Sequence, residues 1–334
     1  MTTLRFAILG TGFWARFQIP AWLELPGVEL VALYNRTVSK AEQLAAQYHI
    51  PRVYGDPEEL FKNEQLDFVD IITHEVMHAP LTYMAVRYRV PVICQKPMAP
   101  DYETCVQMVE RCRRAGTPFM IHENFRWQKP IRAAKQALAE GRIGQPYRAR
   151  IQLGHGTLEQ VENQPFLKEL EHWALTDMGS HVLDLARFFF GEPQSLYCQI
   201  HKSGKWAGAI GEDIATVMLR IGQVICVCEL GWVDNPVLFV EGTQGTLTLT
   251  SDDVLTLDTE QGIFRERIFY PWYTWADPRY GACHPSIVDC NAHLLHALQT
   301  HQPAETSGED NLKTMRLVYA SYESAERSEV VRLD

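Results

Sequence analysis

Phe6-Ala7-Ile8-Leu9-Gly10-Thr11-Gly12-Phe13-Trp14-Ala15 opens the chain with four apolar residues, a G-x-G-x-x-A turn and the start of a helical pattern. Gly10 permits a tight turn after a buried strand, and Gly12 has no Cβ to hold a pyrophosphate away from the backbone. The N-terminus of the following helix favours an anion through its unpaired N–H groups and its dipole. We therefore predict a dinucleotide site formed by Gly10, Thr11, Gly12, Phe13 and Trp14.

The second predicted strand, Val28–Tyr34, ends in Asn35-Arg36. An NAD-binding domain ordinarily carries Asp or Glu here, which bonds the adenosine ribose and repels a 2′-phosphate. Asn35 can still bond a ribose hydroxyl, and Arg36 can either stack on adenine or pair with a 2′-phosphate. The sequence leaves NAD and NADP both open, with a slight preference for NADP.

Composition and charge narrow the class of protein. The chain has 334 residues, 46% hydrophobic and 22% charged, which is ordinary for about two globular domains. A net charge of −10 without a Lys/Arg run argues against nucleic-acid and membrane-surface partners. No signal peptide or apolar span is evident, so we expect a cytoplasmic protein. Eight cysteines without C-x-x-C or zinc-type spacing are expected to be reduced, and no metal is expected.

Hydrophobic periodicity divides the chain near residue 125. Six strand patterns alternate with helical patterns before that point, which is typical of a doubly wound parallel Rossmann sheet. From about residue 145 the strands alternate in polarity and predict a large, mostly antiparallel sheet with one early helix. We therefore expect an α/β nucleotide-binding domain over 1–125 and an α+β domain over 126–334. The final helix could pack against either domain.

Two separate stretches carry residues suited to acid–base chemistry. Lys96 follows the fifth predicted strand, beside the crevice where open α/β sheets bind ligands, although a lone lysine there is usually a surface charge. Asp177 and His181 stand four residues apart and share one helical face. A histidine so placed could take a proton from a hydroxyl, with the aspartate orienting it. A metal site formed with His172 is disfavoured because no further ligand cluster completes it.

In combination these motifs identify a resemblance. The glycine loop, Gln95-Lys96-Pro97 and the D-x-x-x-H of Asp177 and His181 resemble the Gfo/Idh/MocA oxidoreductases in order and spacing. The resemblance implies a Rossmann domain and an open-faced antiparallel sheet that binds substrate and often oligomerises. It also implies oxidation or reduction at a sugar-type hydroxyl, with Lys96, Asp177 and His181 as the active-site lysine, aspartate and histidine.

The chain departs from the family pattern at two points of the expected cofactor pocket. Gln95 replaces the usual glutamate, and Thr73-His74-Glu75 replaces the usual Thr-Pro, while His78 matches the family's downstream histidine. We expect the cofactor pocket to include Thr73, His74, His78, Gln95 and Lys96.

Several further residues are candidates for contact with substrate. Asn124 and Arg126 match polar positions common in the family, while His155 and Trp173 are weaker candidates. Arg126 could hold a substrate carboxylate or form a structural ion pair between the domains. With Lys96 and the uncharged Gln95, it favours an aldonate-like acid over a neutral sugar.

These features predict an NAD(P)-dependent dehydrogenase acting on a secondary hydroxyl of a sugar, polyol or sugar acid. His181 would remove the hydroxyl proton and Lys96 would stabilise the developing negative oxygen. The alternatives are a redox-neutral isomerase, eliminase or hydrolase that uses bound NAD transiently, and a non-catalytic cofactor-binding sensor. The expected partners are a small carbohydrate-type substrate and a second copy of the chain, in a homodimer or homotetramer formed through the C-terminal sheet.

Overall fold

The computed structural model describes residues 3–233 and 237–333. The chain divides into two compact units, each formed from two separate segments. The first contains Met1–Asn124 and Trp272–Met315, and the second contains Phe125–Pro271 and Arg316–Asp334. The predicted boundary at 125/126 lies one residue from the first unit boundary, but the return of the chain to the first unit at Trp272 was not anticipated.

The secondary structure of the described residues comprises helices, strands and short 3₁₀ turns. The α-helices are α1 (Ala15–Leu23), α2 (Val38–Tyr48), α3 (Pro57–Asn63), α4 (His78–Tyr88), α5 (Tyr102–Ala115), α6 (Lys129–Ala139), α7 (Leu158–Glu162), α8 (Ala174–Phe190), α9 (Cys283–Thr300) and α10 (Gly308–Arg327). The strands are β1 (Leu4–Leu9), β2 (Val28–Tyr34), β3 (Arg52–Tyr54), β4 (Phe68–Ile71), β5 (Val92–Gln95), β6 (Phe119–His122), β7 (Pro146–Gly154), β8 (Ser195–His201), β9 (Ile214–Ile221), β10 (Val224–Gly231), β11 (Leu238–Gly242), β12 (Gly245–Leu249), β13 (Val254–Thr259), β14 (Gly262–Arg267) and β15 (Val331–Arg332). None of the helices in this described part is long and apolar enough to cross a membrane.

The N-terminal unit is built on a six-stranded sheet in the order β3-β2-β1-β4-β5-β6. Every neighbouring pair is parallel, which confirms the predicted doubly wound Rossmann sheet. Strands β4, β5 and β6 are buried at every residue, and each contains three apolar residues and one buried polar residue, namely Asp70, Gln95 and His122. The strand order reverses between β1 and β4, and ligands of such sheets bind beyond the carboxyl ends of the strands at this point.

The return segment adds a helix to the N-terminal unit. Helix α9 packs against α1, where Ile287 and Val288 join Phe17 and Ala21 in one apolar cluster. Sequence reasoning did not predict this helix. The start of α10 also belongs to this unit, since an ideal Cβ on Gly308 would lie 2.4 Å from Phe119 Cδ1.

The C-terminal unit is built on a nine-stranded sheet in the order β14-β13-β12-β11-β7-β10-β9-β8-β15. Only β7 and β10 pair in parallel among these strands of the described chain, so the prediction of a mostly antiparallel sheet is confirmed. Buried and exposed residues alternate along β9 and β10, which leaves one face open. Helix α8 covers the other face, and it approaches closely because Gly179 has no side chain to meet Leu230.

The last helix also contributes to the C-terminal unit. Tyr322 donates its hydroxyl hydrogen to Glu212 at 2.6 Å, and the Ser324 hydroxyl accepts from the backbone N–H of Cys198 at 2.9 Å. Because the unit boundary falls at Met315/Arg316, the two ends of α10 belong to different units.

A buried polar network lies inside the N-terminal unit. Asp70, on β4, accepts hydrogen bonds from Trp22 Nε1 at 2.6 Å and Gln18 Nε2 at 2.8 Å. The Gln18 amide also donates to Asn291 on α9, which contacts His122 on β6. Burial raises the pKa of Asp70 to about 6, although the hydrogen bonds from Trp22 and Gln18 oppose the shift.

We expect Asp70→Asn to stabilise the protein at neutral and higher pH. The raised pKa means that the folded state holds a proton which the unfolded chain, with a pKa near 3.8, releases. The stability contributed by protonated Asp70 is therefore lost as the pH rises through about 6. Asparagine keeps an acceptor for Trp22 and Gln18, so the gain should reach about 1–3 kcal/mol near pH 8 and shrink near pH 4.5. Urea unfolding followed by tryptophan fluorescence measures it, and an equal gain at both pH values contradicts the assignment.

Candidate functional site

The glycine loop of the N-terminal unit has the geometry that a pyrophosphate requires. Gly10 has φ +116°, and its N–H donates to the Tyr34 carbonyl at 2.8 Å. An ideal Cβ on Gly10 would lie 2.9 Å from the backbone of Ile72 and Thr73, so only glycine fits. Gly12 is exposed, and a Cβ there would meet nothing within 4 Å. The loop therefore leaves open space at the beginning of α1.

Buried polar atoms around this loop also fit a dinucleotide. The Thr11 and Thr73 hydroxyls, Trp14 Nε1 and Gln95 Nε2 are buried and have no hydrogen-bond partner within residues 3–233 and 237–333. Thr11, Thr73 and Gln95 follow or end β1, β4 and β5, at the carboxyl edge of the sheet, and Trp14 immediately precedes α1. A buried polar atom without a partner costs about 1–3 kcal/mol, which a bound polar ligand can recover. The residues present therefore suit a nicotinamide dinucleotide.

Asn35 and Arg36 take different positions at the end of β2. The Asn35 side chain accepts from the Thr11 backbone N–H at 3.3 Å and donates to the Thr37 carbonyl at 2.9 Å. Asn35 thus helps to fix the glycine loop. Arg36 is exposed at the same edge. A direct contact of either side chain with the ribose or adenine stays a prediction.

Lys96 stands at the carboxyl end of β5, half-buried. The Gln95 side-chain carbonyl accepts from the Lys96 backbone N–H at 2.9 Å, so the two residues form a local turn. Burial raises the pKa of the Cys283 thiol to about 11, while an Asn124 hydrogen bond and the nearby Lys96 charge oppose the rise. Cys283, the first residue of α9, therefore lies within electrostatic range of Lys96.

His78 is buried between backbone carbonyls, and its contact with the cofactor stays a prediction. Its imidazole is buried, with Nδ1 3.0 Å from the Pro97 carbonyl and Nε2 3.0 Å from the Thr73 carbonyl. Burial lowers the pKa of His78, although these backbone carbonyls oppose the shift. Because both nitrogens face backbone carbonyls, His78 joins the segments after β4 and β5. His74, four residues earlier, is exposed beside the same segment.

Asn124 is likewise anchored inside the N-terminal unit. Its amide nitrogen donates to the Cys283 carbonyl at 3.0 Å and to the Ser286 hydroxyl at 2.8 Å. The side chain is 2% exposed. The amide nitrogen therefore holds the first turn of α9, and contact of Asn124 with substrate stays a prediction.

In the C-terminal unit, α8 carries Asp177 in its first turn and His181 one turn later. His181 is 3% exposed and stacks on Phe125, with ring centroids 3.7 Å apart and planes 6° from parallel. The Glu212 carboxylate accepts from the backbone N–H groups of Trp173 and Leu175, at 3.3 and 3.1 Å. An anion at a helix N-terminus is stabilised by unpaired N–H groups, so Glu212 fixes the start of α8.

Arg126 forms a buried ion pair with Asp184, also on α8. Its Nε and Nη2 donate to the two carboxylate oxygens at 2.5 and 2.7 Å. Both residues belong to the C-terminal unit, so the alternative of an ion pair between domains is corrected to one within a unit. The bidentate pair uses the Arg126 Nε and Nη2 groups, which could otherwise hold a substrate carboxylate.

His155 and Trp173 lie together in an aromatic cluster. Their rings are 4.6 Å apart and stacked, and Trp206 and Trp232 pack on Trp173. His155 Nε2 donates to the Asp213 carbonyl at 2.9 Å, and burial lowers the pKa of this histidine. The negative charge of Asp177 acts on His155, which places this cluster near the first turn of α8. Contact of His155 or Trp173 with substrate stays a prediction.

Sequence reasoning missed residues whose partners are distant in the chain. Phe125, Glu212 and Cys283 belong to the site environments described above, yet none stands in a motif. Glu212 did have a signal in the sequence, because Glu212 and Asp213 are two adjacent acidic residues beside a predicted strand. No group of three or more His, Cys, Asp or Glu side chains over the described ranges 3–233 and 237–333 is arranged to hold a metal ion.

Comparison with known proteins connects both units to one family. The profile described as "Oxidoreductase family, NAD-binding Rossmann fold" matches residues 4–123, and the "GFO/IDH/MocA C-terminal domain" matches residues 131–248. D-apiose dehydrogenase of Paraburkholderia graminis is 35% identical, across 99% of this chain and 91% of that protein. D-apiose dehydrogenase of Rhizobium rhizogenes is also 35% identical, across 99% and 98%.

A solved structure supports the same relationship. An oxidoreductase from Agrobacterium radiobacter, in complex with NAD+, L-tartaric acid and magnesium, has a TM-score of 0.95 and 34% identity. The match covers 99% of this chain and 98% of that one. The glycine loop, the Rossmann sheet and the open-faced second sheet described above agree with these matches. The chain is therefore a member of the Gfo/Idh/MocA oxidoreductase family, with an NAD-binding Rossmann domain and the family's C-terminal domain.

Proposed function

We propose that this oxidoreductase is an NAD(P)-dependent dehydrogenase of a sugar hydroxyl, with D-apiose as the first candidate substrate. The observation that carries the proposal is the 35% identity to two D-apiose dehydrogenases over nearly the whole chain. The local structure is compatible with it, because His181 is held in a buried stack one helical turn after Asp177.

Two tasks in the reaction fall to side chains of the protein: removal of the hydroxyl proton and stabilisation of the negative charge on the oxygen. A bound nicotinamide supplies the acceptor or donor of hydride. His181 takes the proton from the substrate hydroxyl, and Asp177 favours the resulting imidazolium. The Lys96 ammonium stabilises the negative charge that develops on the same oxygen.

The cofactor would be held by the N-terminal unit. Gly10 and Gly12 admit the pyrophosphate, while Thr11, Thr73 and Gln95 offer buried polar atoms that have no partner in the described ranges 3–233 and 237–333. Asn35 and Arg36 would lie at the adenosine end, and we leave NAD and NADP open.

The preference for a sugar acid loses its main support in the structure. Arg126, the residue considered for a substrate carboxylate, is paired with Asp184. A neutral sugar therefore ranks first, and an aldonate-like acid stays a prediction. The L-tartaric acid in the Agrobacterium radiobacter structure keeps the acid worth testing.

The experiment is a dehydrogenase screen with purified protein. Matched pairs of sugars and their acids, with D-apiose among the sugars, are offered with NAD and separately with NADP, and reduced cofactor is measured. We expect the largest kcat/KM for a neutral sugar. Turnover of acids alone would reverse the ranking, while no turnover together with no cofactor binding by calorimetry would end the proposal.

We also infer a homodimer or homotetramer formed through the open face of the nine-stranded sheet. Cross-strand pairing aligns one row of side chains over β8, β9, β10, β7 and β11, namely Tyr197, Met218, Val227, Arg150 and Phe239. Met218 is 46% exposed in the single chain. A mostly apolar row on an open sheet face is typical of an interface between subunits. Light scattering measures the oligomer, and a wild-type monomer at assay concentration contradicts this inference.

We infer a cytoplasmic location from the cysteines. None of the eight forms a disulfide bond within residues 3–233 and 237–333, and seven of them are buried. Disulfides are rare where thiols are kept reduced, so eight cysteines without a disulfide among them fit a reducing compartment. Fractionation of cells that express the protein tests this inference.

A further inference from the structure

Phe125 and His181 form a face-to-face pair inside the C-terminal unit. The ring centroids are 3.7 Å apart and the planes differ by 6°, so the phenyl face covers the imidazole face. Both side chains are buried, with 9% of Phe125 and 3% of His181 exposed. The two residues are 56 positions apart in sequence, so the contact is made by the fold rather than by local structure.

The residue after Phe125 holds the same helix independently. Arg126 makes its bidentate pair with Asp184, which follows His181 by three residues on α8. Arg187, one turn further, adds a second positive charge 3.6 Å from the Asp184 carboxylate. Buried charge-assisted bonds of this kind are short and directional. Two consecutive residues, Phe125 and Arg126, therefore contact side chains that lie on one face of α8.

The stack restrains rotation of the His181 imidazole ring, which the helix backbone alone does not restrain. A histidine on a helix has a broad preference for the rotation that sets the ring plane. Proton transfer needs the accepting nitrogen within about 2.6–3.2 Å of the hydroxyl oxygen. A displacement of about 1 Å can cost 10²-fold in rate. The phenyl face removes most rotations of the imidazole and does not itself cover the edge nitrogens.

We propose that Phe125 is a positioning residue for the reaction: its ring fixes the plane of the His181 imidazole in the orientation that accepts the substrate proton. The inference rests on the proposed role of His181 as the proton acceptor. Phe125 acts through His181 rather than on the substrate, and the Arg126–Asp184 pair keeps the phenyl ring in register with the helix.

Phe125→Leu tests this proposal, because leucine keeps apolar volume but has no flat face. We expect kcat to fall about 10- to 100-fold, while KM and the dissociation constant of NAD stay near their wild-type values. Phe125→Tyr keeps the flat ring and should restore most of kcat. Phe189→Leu is the matched control, since Phe189 is a buried phenylalanine of α8 itself. It should lower stability without a comparable loss of kcat.

Histidine NMR tests the stack itself, while the split between kcat and KM and the rescue by Phe125→Tyr test its role in the reaction. A proton of an imidazole stacked on a phenyl face is shifted upfield by the ring current, and His181→Asn identifies the signal by its loss. We expect an upfield signal in the wild-type protein and its displacement in Phe125→Leu but not in Phe189→Leu. If Phe125→Leu fails to fold, the wild-type spectrum alone still shows whether His181 stacks on Phe125.

The outcomes separate this inference from the proposed function. If His181→Ala is inactive but Phe125→Leu loses no more kcat than Phe189→Leu, the positioning role is wrong and the proposed function stands. An unshifted His181 signal in the wild-type protein also overturns the positioning role. If His181→Ala keeps near-normal kcat, the proposed proton acceptor itself is wrong.

Discussion

His181→Ala should lower kcat by about 10²–10⁴-fold, the contribution that a positioned acid–base group makes to proton transfer. The imidazole is the proposed acceptor of the hydroxyl proton, and α8 holds it in a buried, stacked setting. Its removal should leave the affinity for NAD near the wild-type value, because His181 is not among the residues proposed to hold the pyrophosphate, Gly10 and Gly12. Steady-state kinetics and calorimetric titration with NAD measure the two quantities separately.

Related variants sharpen this result. Lys96→Ala should also lower kcat strongly, since the developing negative oxygen loses its cation. Asp177→Asn should be intermediate, because the imidazole stays and only its partner charge is lost. His296→Ala, at an exposed position of α9, is the matched histidine control and should leave kcat unchanged. Near-normal kcat for His181→Ala at saturating substrate would refute the assignment.

Arg36→Ala should change the preference between NADP and NAD. Arg36 is exposed directly after β2, where the adenosine end of a dinucleotide lies in Rossmann domains. If its guanidinium pairs with a 2′-phosphate, its removal should weaken NADP by about 2 kcal/mol, or roughly 30-fold, and NAD much less. Calorimetric titration of both cofactors measures the difference.

The two cofactors also distinguish the alternative for Arg36. Equal weakening of NAD and NADP would show that the side chain stacks on adenine, since both cofactors carry that ring. Arg113→Ala removes an exposed arginine from the last turn of α5 and controls for a general loss of positive charge. Unchanged affinity for both cofactors would contradict any role for Arg36.

Local patterns in the sequence were sufficient to predict much of the fold. The four apolar residues before Gly10 predicted a strand buried on both faces, and β1 has that burial pattern. Alternation along β9 and β10 predicted strands of a mostly antiparallel sheet, and the structure confirms it. The D-x-x-x-H spacing placed Asp177 and His181 on one helix, and both belong to α8.

Contacts that join distant segments could not be predicted in this way. Helix α9 has apolar residues at helical spacing, but amphipathicity does not reveal the partner that a helix will pack against. Gln18 and Asn291 are of residue types usually found at the surface, yet their side chains form a hydrogen bond in the interior of the N-terminal unit. The stack of Phe125 on His181 likewise depends on a fold that brings together residues far apart in the chain.

Three residues predicted to contact a ligand already have polar partners within the protein, and all three have them for one physical reason. His78, Asn124 and Arg126 are polar residues in or beside recognisable motifs, so the sequence indicated contact with a ligand. In the structure their polar atoms bond backbone carbonyls, a serine hydroxyl and a carboxylate. Buried polar groups must be paired, and pairing within the protein satisfies that requirement as well as a ligand does.

The most direct test of the central claim is the amount of reduced cofactor formed per sugar consumed. Purified enzyme is mixed with NAD or NADP and the best sugar of the screen, and the NADH or NADPH absorbance is followed together with the disappearance of sugar. A dehydrogenase should form one reduced cofactor for each sugar molecule over many turnovers. Consumption of sugar without net reduced cofactor would contradict the account and show a redox-neutral reaction. Cofactor binding without any consumption across the screen would instead indicate a sensor.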